Sequence, residues 1–117
     1  EMNRVGMMVD LAHVSEKSFY DVLACSTVPV VSTHSSCRAL CDHPRNLTDD
    51  QIRALAARGG VVQICLYEYF LARGKEPSVD DIVAHIDHVV QLVGVDYVGI
   101  GSDFDGGGGI PKLPMNL

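Results

Sequence analysis

The sequence predicts an α/β fold built on a parallel sheet, and three observations predict it. Short, unbroken apolar runs recur at "VGMMVDL", "VPVVSTH", "VVQICLY" and "YVGIGSD". Strands buried on both faces read this way, whereas half-exposed strands alternate. Between the runs lie stretches long enough for a helix and patterned like one, which is what a parallel crossover requires. Finally, His13, His34 and Asp103 all fall at or just after the ends of predicted strands, the edge at which open and closed parallel sheets alike carry their chemistry.

Each element has its own local reason. Residues 1–4, "EMNR", read as the tail of a helix, and Val5 to Leu11 form the first predicted strand. Ser15 then caps a helix whose apolar positions are Phe19, Val22 and Leu23. Val28 to His34 is the second strand. In Thr48-Asp49-Asp50-Gln51 the spacing is that of a capping box, in which Thr48 and Gln51 satisfy each other's free backbone N–H groups, and Leu47 with Ile52 fits a hydrophobic staple. Ile52, Leu55 and Ala56 line one side of that helix, which Gly59-Gly60 should end in a left-handed cap. Val61 to Tyr67 is the third strand. Ser78 and Asp81 open a further helix, with Ile82, Ile86, Val89, Val90 and Val93 at helical spacing until Gly94 stops it. His85 and His88 are expected on its solvated side. Tyr97 to Asp103 is the fourth strand.

The chain therefore reads as four consecutive βα units in one domain, residues 1–117. An open doubly wound sheet and a (β/α)8 TIM-like barrel both suit the pattern. Four units cannot close an eight-stranded barrel, which typically takes about 250 residues, so the barrel reading makes this the C-terminal half of one. Such a half would leave sheet edges and an apolar face uncovered, and self-association is expected of it.

Composition excludes several other classes. With 47% hydrophobic residues the chain can build a core. No apolar run approaches the roughly 18 to 20 residues of a membrane span, and the first residues lack the sectors of a signal peptide. A net charge of −6 argues against a nucleic-acid partner, which selects for clustered Lys and Arg. Four cysteines are too few for a disulfide scaffold, and Cys25 and Cys65 lie in apolar segments.

The polar residues admit two kinds of reading. A histidine after a strand is commonly a hydrogen-bonded structural residue, but His13 and His34 occupy equivalent points of neighbouring units, where two neutral imidazoles would suit Zn2+. Catalytic zinc needs a further ligand and an open position for water, and the residues alone offer no third ligand. His34, Cys37, Cys41 and His43 lack the long arm between ligand pairs of a structural zinc finger, so Cys37 and Cys41 read better as one helical turn packing inward. Arg38 and Arg45 are either solvated charges or, beside a metal, a clamp for a carboxylate. Asp103 and Asp105 in "SDFDGGGG" match neither an EF-hand nor a P-loop.

Three segments in register, "GMMVDLAHVS", "VPVVSTHSSCRALCDHPRNLTDDQIRALAARGGVVQI" and "VGIGSDFDG", closely resemble the membrane (renal) dipeptidase family and its bacterial members, over roughly Glu1 to Gly106. The resemblance implies a (β/α)8 barrel whose binuclear zinc centre, two Zn2+ per intact barrel, hydrolyses dipeptides. It implies that His13 and His34 ligate one zinc, that Arg45 holds the substrate's terminal carboxylate, and that Asp103 transfers a proton to the leaving amine. The family's His-x-Asp ligand pair, bridging Glu and further upstream His have no counterpart in this sequence, and Cys65 stands where many relatives carry Asn. The 117 residues alone are therefore expected to be inactive. The readings that stay beside this one are another metal-dependent barrel amidohydrolase, a non-catalytic fragment, and a binding module.

Overall fold

Ser15 opens helix α1 (Glu16–Cys25) by accepting the Ser18 N–H on its hydroxyl, and Phe19 and Leu23, one turn apart, enter the core. The structure, a computed structural model, describes residues 1–104 and 106. After α1 follow β1 (Val31–Ser32), α2 (Asp49–Ala56), β2 (Val61–Ile64), α3 (Glu68–Leu71), α4 (Val79–Val93) and β3 (Val98–Ile100). The three strands form one sheet in the order β1-β2-β3, all parallel. Val31 pairs with Val61, and Val62 and Ile64 with Val98 and Ile100. The α/β class and the parallel sheet are thus as the sequence predicts.

The strands are shorter than the apolar runs. Val5 to Leu11 is not a regular strand: Asn3–Val5 is a 3-10 turn, and only Asp10 bridges to Val31 in parallel. Val31 donates to the Val9 carbonyl at 3.0 Å and its own carbonyl accepts from Leu11 at 2.8 Å. Apolar character upstream of Val9 does not suffice for a strand, since Val5, Met7 and Met8 are exposed. Even so, four segments lie side by side in chain order without reversal. The core gathers Leu11, Phe19, Ile52, Leu55, Ile64 and Val89 between sheet and helices, each such side chain contributing about 1.5–3 kcal/mol by burial.

The local signals hold. Thr48 accepts the Gln51 N–H (3.2 Å) while Gln51 accepts the Thr48 N–H (2.9 Å), and Gly59 takes the left-handed conformation beyond α2 (φ 72°). At α4 the Ser78 N–H and hydroxyl both donate to Asp81 Oδ2, at 2.8 and 2.9 Å. Lys75, then the Ser78 N–H, hold that carboxyl down to about 2. Among the described residues no helix is long and apolar enough to cross a membrane.

His85 corrects the expectation of a solvated ring, being 1% exposed. It shares the stripe of Ile82, Ile86 and Val89, so its spacing points inward. Its Nδ1 accepts the Cys37 N–H (3.0 Å) and its Nε2 lies 3.1 Å from the Leu71 carbonyl. Both bonds form only when the ring is neutral with its proton on Nε2. His88 is not simply solvated either, with Nε2 2.8 Å from Asp49 Oδ1, linking α4 to α2.

Burial is the main cause that lowers the His85 pKa from its ordinary 6.5, opposed by the Leu71 carbonyl. The unfolded chain then binds a proton more readily than the folded one, so the contribution is complete above about pH 6.5 and is lost as pH falls toward the folded value. Unfolding measured between about pH 8 and pH 5 should show wild type losing more stability on acidification than His85→Gln. Parallel pH profiles would contradict this account.

Candidate metal and carboxylate site

Backbone pairing between the first segment and β1 ends at Leu11 and Val31. Just beyond it the side chain of Asp10 takes over: its Oδ1 accepts the N–H groups of Ala12 and Thr33, each at 3.0 Å. The two segments are thereby tied together just where each presents a histidine. His13 Nε2 and His34 Nε2 stand 2.7 Å apart, with ring centroids separated by 4.8 Å. Desolvation first, then the charges of Arg45 and His34, lower the His13 pKa against the pull of Asp103 and Asp10. His13 is therefore a neutral imidazole at neutral pH, as a metal ligand must be.

The donor set fits a divalent metal in part. Two Zn–N bonds of about 2.0–2.1 Å at a tetrahedral angle put the nitrogens about 3.3 Å apart, so the pair needs to open by well under an ångström. Among the described residues no group of three or more His, Cys, Asp or Glu side chains is placed to hold an ion.

Arg45 lies against both histidine segments. Its Nε donates to the Ala12 carbonyl (3.0 Å) and its Nη2 to the His34 carbonyl (3.4 Å), while Cζ sits 5.3 Å from the Phe70 ring centroid. The fork has five donors, and among the described residues Nη1 makes no hydrogen bond. Burial lowers the Arg45 pKa, with Cys65, Asp103 and Asp10 acting against it, yet a guanidinium stays charged throughout the working range. An aromatic wall of Phe70, Tyr67 and His43 stands beside it, with Tyr67–Phe70 and His43–Phe70 centroids 4.9 and 4.6 Å apart.

The loop that carries Arg45 is braced by Asn46, to which the sequence reading gave no role, and by Arg38, read there as a solvated charge or a clamp. Asn46, 1% exposed, accepts the Ser36 N–H and donates to the carbonyls of Cys41 and Phe70, both at 2.8 Å. Arg38 is also a brace, donating to the carbonyls of Asn46 and Pro44. Cys37 and Cys41 pack inward as expected: both are buried, their thiols pointing at the carbonyls of His85 and Tyr69. Burial pushes the Cys37 thiol up to about 12, in keeping with a thiol that packs in the core.

Asp103 follows β3, two residues after Gly101. Glycine is required at 101 because a Cβ there would fall 1.7 Å from the Thr33 carbonyl oxygen. This close approach brings the end of β3 against the strand end that carries His34. Asp103 takes a left-handed backbone (φ 60°), and its charge acts on His13, Arg45 and Cys65. His13, His34, Arg45 and Asp103 are thus brought to one face, whereas Asp105 and Gly107 onward lie outside the described residues.

Known proteins share this arrangement of segments. The family model for membrane dipeptidases, peptidase family M19, matches residues 1–114. The chain belongs to the membrane dipeptidase family. An uncharacterised dipeptidase of Schizosaccharomyces pombe is 44% identical across 100% of this chain and 28% of its own length. Dipeptidase verJ of Clonostachys rogersoniana is 45% identical over 91% of the chain and 27% of its own length. Among solved structures, a metallopeptidase from Rhodobacter sphaeroides, bound to a phosphinate mimic of the dipeptide L-Ala-D-Ala, superposes with a TM-score of 0.87. It is 39% identical over 95% of this chain and 32% of that one. An amidohydrolase from Pseudomonas aeruginosa superposes at 0.85, with 40% identity over 92% of this chain and 33% of that one. The chain spans about a third or less of the length of each of these proteins.

Proposed function

We propose that this chain is the C-terminal half of a (β/α)8 barrel and supplies one side of a zinc-dependent dipeptidase site. The observation that carries the reading is the convergence of two imidazole Nε2 atoms, 2.7 Å apart, beside a cation anchored to both ligand-bearing segments. The unreversed order of four parallel segments supports the barrel over a doubly wound sheet, whose strand order turns back on itself. His13 and His34 would hold one of two zinc ions in the intact centre. Zinc bound there would supply Lewis acidity, lowering the pKa of a bound water toward about 7 and polarising a carbonyl.

This chain's residues do the rest. Arg45 grips the free carboxylate of a short peptide, its position set by Ala12 and His34, and so places the scissile amide beside the two imidazoles. Asp103 takes up the proton that the attacking water loses and hands it to the departing amine. The aromatic wall excludes water on the side of Arg45. The direct test is hydrolysis of a dipeptide by the full-length protein before and after chelation, with activity expected to disappear and to return on adding zinc. Turnover that persists after complete metal removal would end this reading.

The clamp makes its own forecast. Arg45→Ala should raise KM strongly and Arg45→Lys more modestly, since an ammonium replaces a two-point fork with one point of charge. Wild type should discriminate a dipeptide from its C-terminal amide, and Arg45→Ala should lose that discrimination. If wild type hydrolyses acid and amide equally well, Arg45 has no such role, and a barrel amidohydrolase acting on a different substrate is the better reading.

A further inference from the structure

One chain of hydrogen bonds ends on the histidine pair without supplying a ligand. Asp10 Oδ2 lies 2.6 Å from Thr33 Oγ1, and Thr33 Oγ1 lies 2.8 Å from His34 Nδ1. Asp10 Oδ1 is already saturated by the backbone N–H groups of Ala12 and Thr33. The direction of the chain follows from valence. An ionised carboxylate can only accept, so the Thr33 hydroxyl donates its single proton to Asp10. Toward His34 that hydroxyl can therefore only accept, and Nδ1 must carry the imidazole proton. The Nε2 lone pair is then left bare, facing His13 Nε2 at 2.7 Å.

We propose that Asp10 and Thr33 are positioning residues that lock His34 in its Nδ1–H tautomer and orient its Nε2 lone pair as a ready metal ligand. The idea rests on the reading of His34 as a ligand given above. Asp10 has a second effect: it belongs to the segment that bears His13 and binds the N–H of the residue before His34, so one carboxylate sets both the tautomer of one histidine and its distance from the other. Imidazoles that ligate metals generally give their second nitrogen to such an acceptor, and losing it typically costs 10- to 100-fold in metal affinity.

The test begins on metal-free, full-length protein at about pH 8, where 15N chemical shifts of the His34 ring report which nitrogen holds the proton. Wild type should show Nδ1–H. Thr33→Val, nearly isosteric but without the hydroxyl, should lose that signature and bind zinc roughly 10- to 100-fold more weakly in competition with a chelator, whereas Thr33→Ser should match wild type in both. Asp10→Asn should shift the tautomer in the same direction and gives a second route if Thr33→Val folds poorly. An Nε2–H His34 in wild type, or Thr33→Val with both tautomer and zinc affinity unchanged, overturns the proposal. His34→Ala separates the two layers of argument: unchanged zinc affinity there refutes the ligand reading itself, while the tautomer of wild type still decides the role of Thr33.

Discussion

His13→Ala and His34→Ala should each remove most of the dipeptide hydrolysis of the full-length protein and weaken zinc binding beyond the roughly 10- to 100-fold typical of losing an outer partner. Each substitution removes one of the two nitrogens that converge at 2.7 Å, and among the described residues no group of three or more His, Cys, Asp or Glu side chains is placed to hold the ion in its stead. The nearby thiols are turned into the core, and Arg45 repels a cation. His34→Ala should be the more damaging of the two, because it also leaves the Thr33 hydroxyl and Asp10 without the ring they hold, whereas His13 is exposed and its truncation disturbs little packing. Zinc content after dialysis against graded chelator, read beside kcat/KM, checks both. If the two variants keep wild-type zinc affinity, the metal assignment is wrong.

Asp103→Asn should leave fold and zinc content intact and lower kcat by about 10²- to 10⁴-fold, the usual worth of general acid–base help. The backbone argument favours a clean experiment. Asp103 sits at φ 60°, a region that Asn enters as readily as Asp, so the substitution adds no strain. What it removes is a group that can accept and return a proton, together with a negative charge felt at His13 and Arg45. KM should change less than kcat, because the carboxylate grip belongs to Arg45. A variant with wild-type zinc and kcat within a few-fold of wild type would assign the proton transfer elsewhere.

What could be read from sequence divides along the range of the interaction. The capping pairs Thr48/Gln51 and Ser78/Asp81 are local, so four consecutive letters carry the whole signal and the structure repeats them. The meeting of His13 and His34 is legible because strand ends of successive parallel units fall on one face, which is a property of topology. Elsewhere the outcome depended on a partner that no local pattern names. Val5 to Leu11 has the composition of a strand, but pairing is made across space, and only Val9 to Leu11 reach β1. The polarity of His85 points to solvent while its spacing matches the buried stripe, and what admits it to the core is the pair formed by the Cys37 N–H and the Leu71 carbonyl. Asp10 was visible only as the acid closing an apolar run. Its bonds to Thr33, 23 residues away, have no sequence signature at all, and the same is true of Asn46.

Gly101 limits how this site can be altered. Its missing side chain leaves room for the Thr33 carbonyl oxygen, a backbone atom that cannot rotate aside, so even alanine there must displace one strand end from the other. The separation between the two strand ends is therefore not adjustable by side-chain choice. Change at this site is freer at positions such as Tyr67 and His43, in irregular segments, and at the exposed Tyr69 on α3. The contact joins two main chains, so substitutions at Gly101 are expected to cost the protein stability before they alter its chemistry.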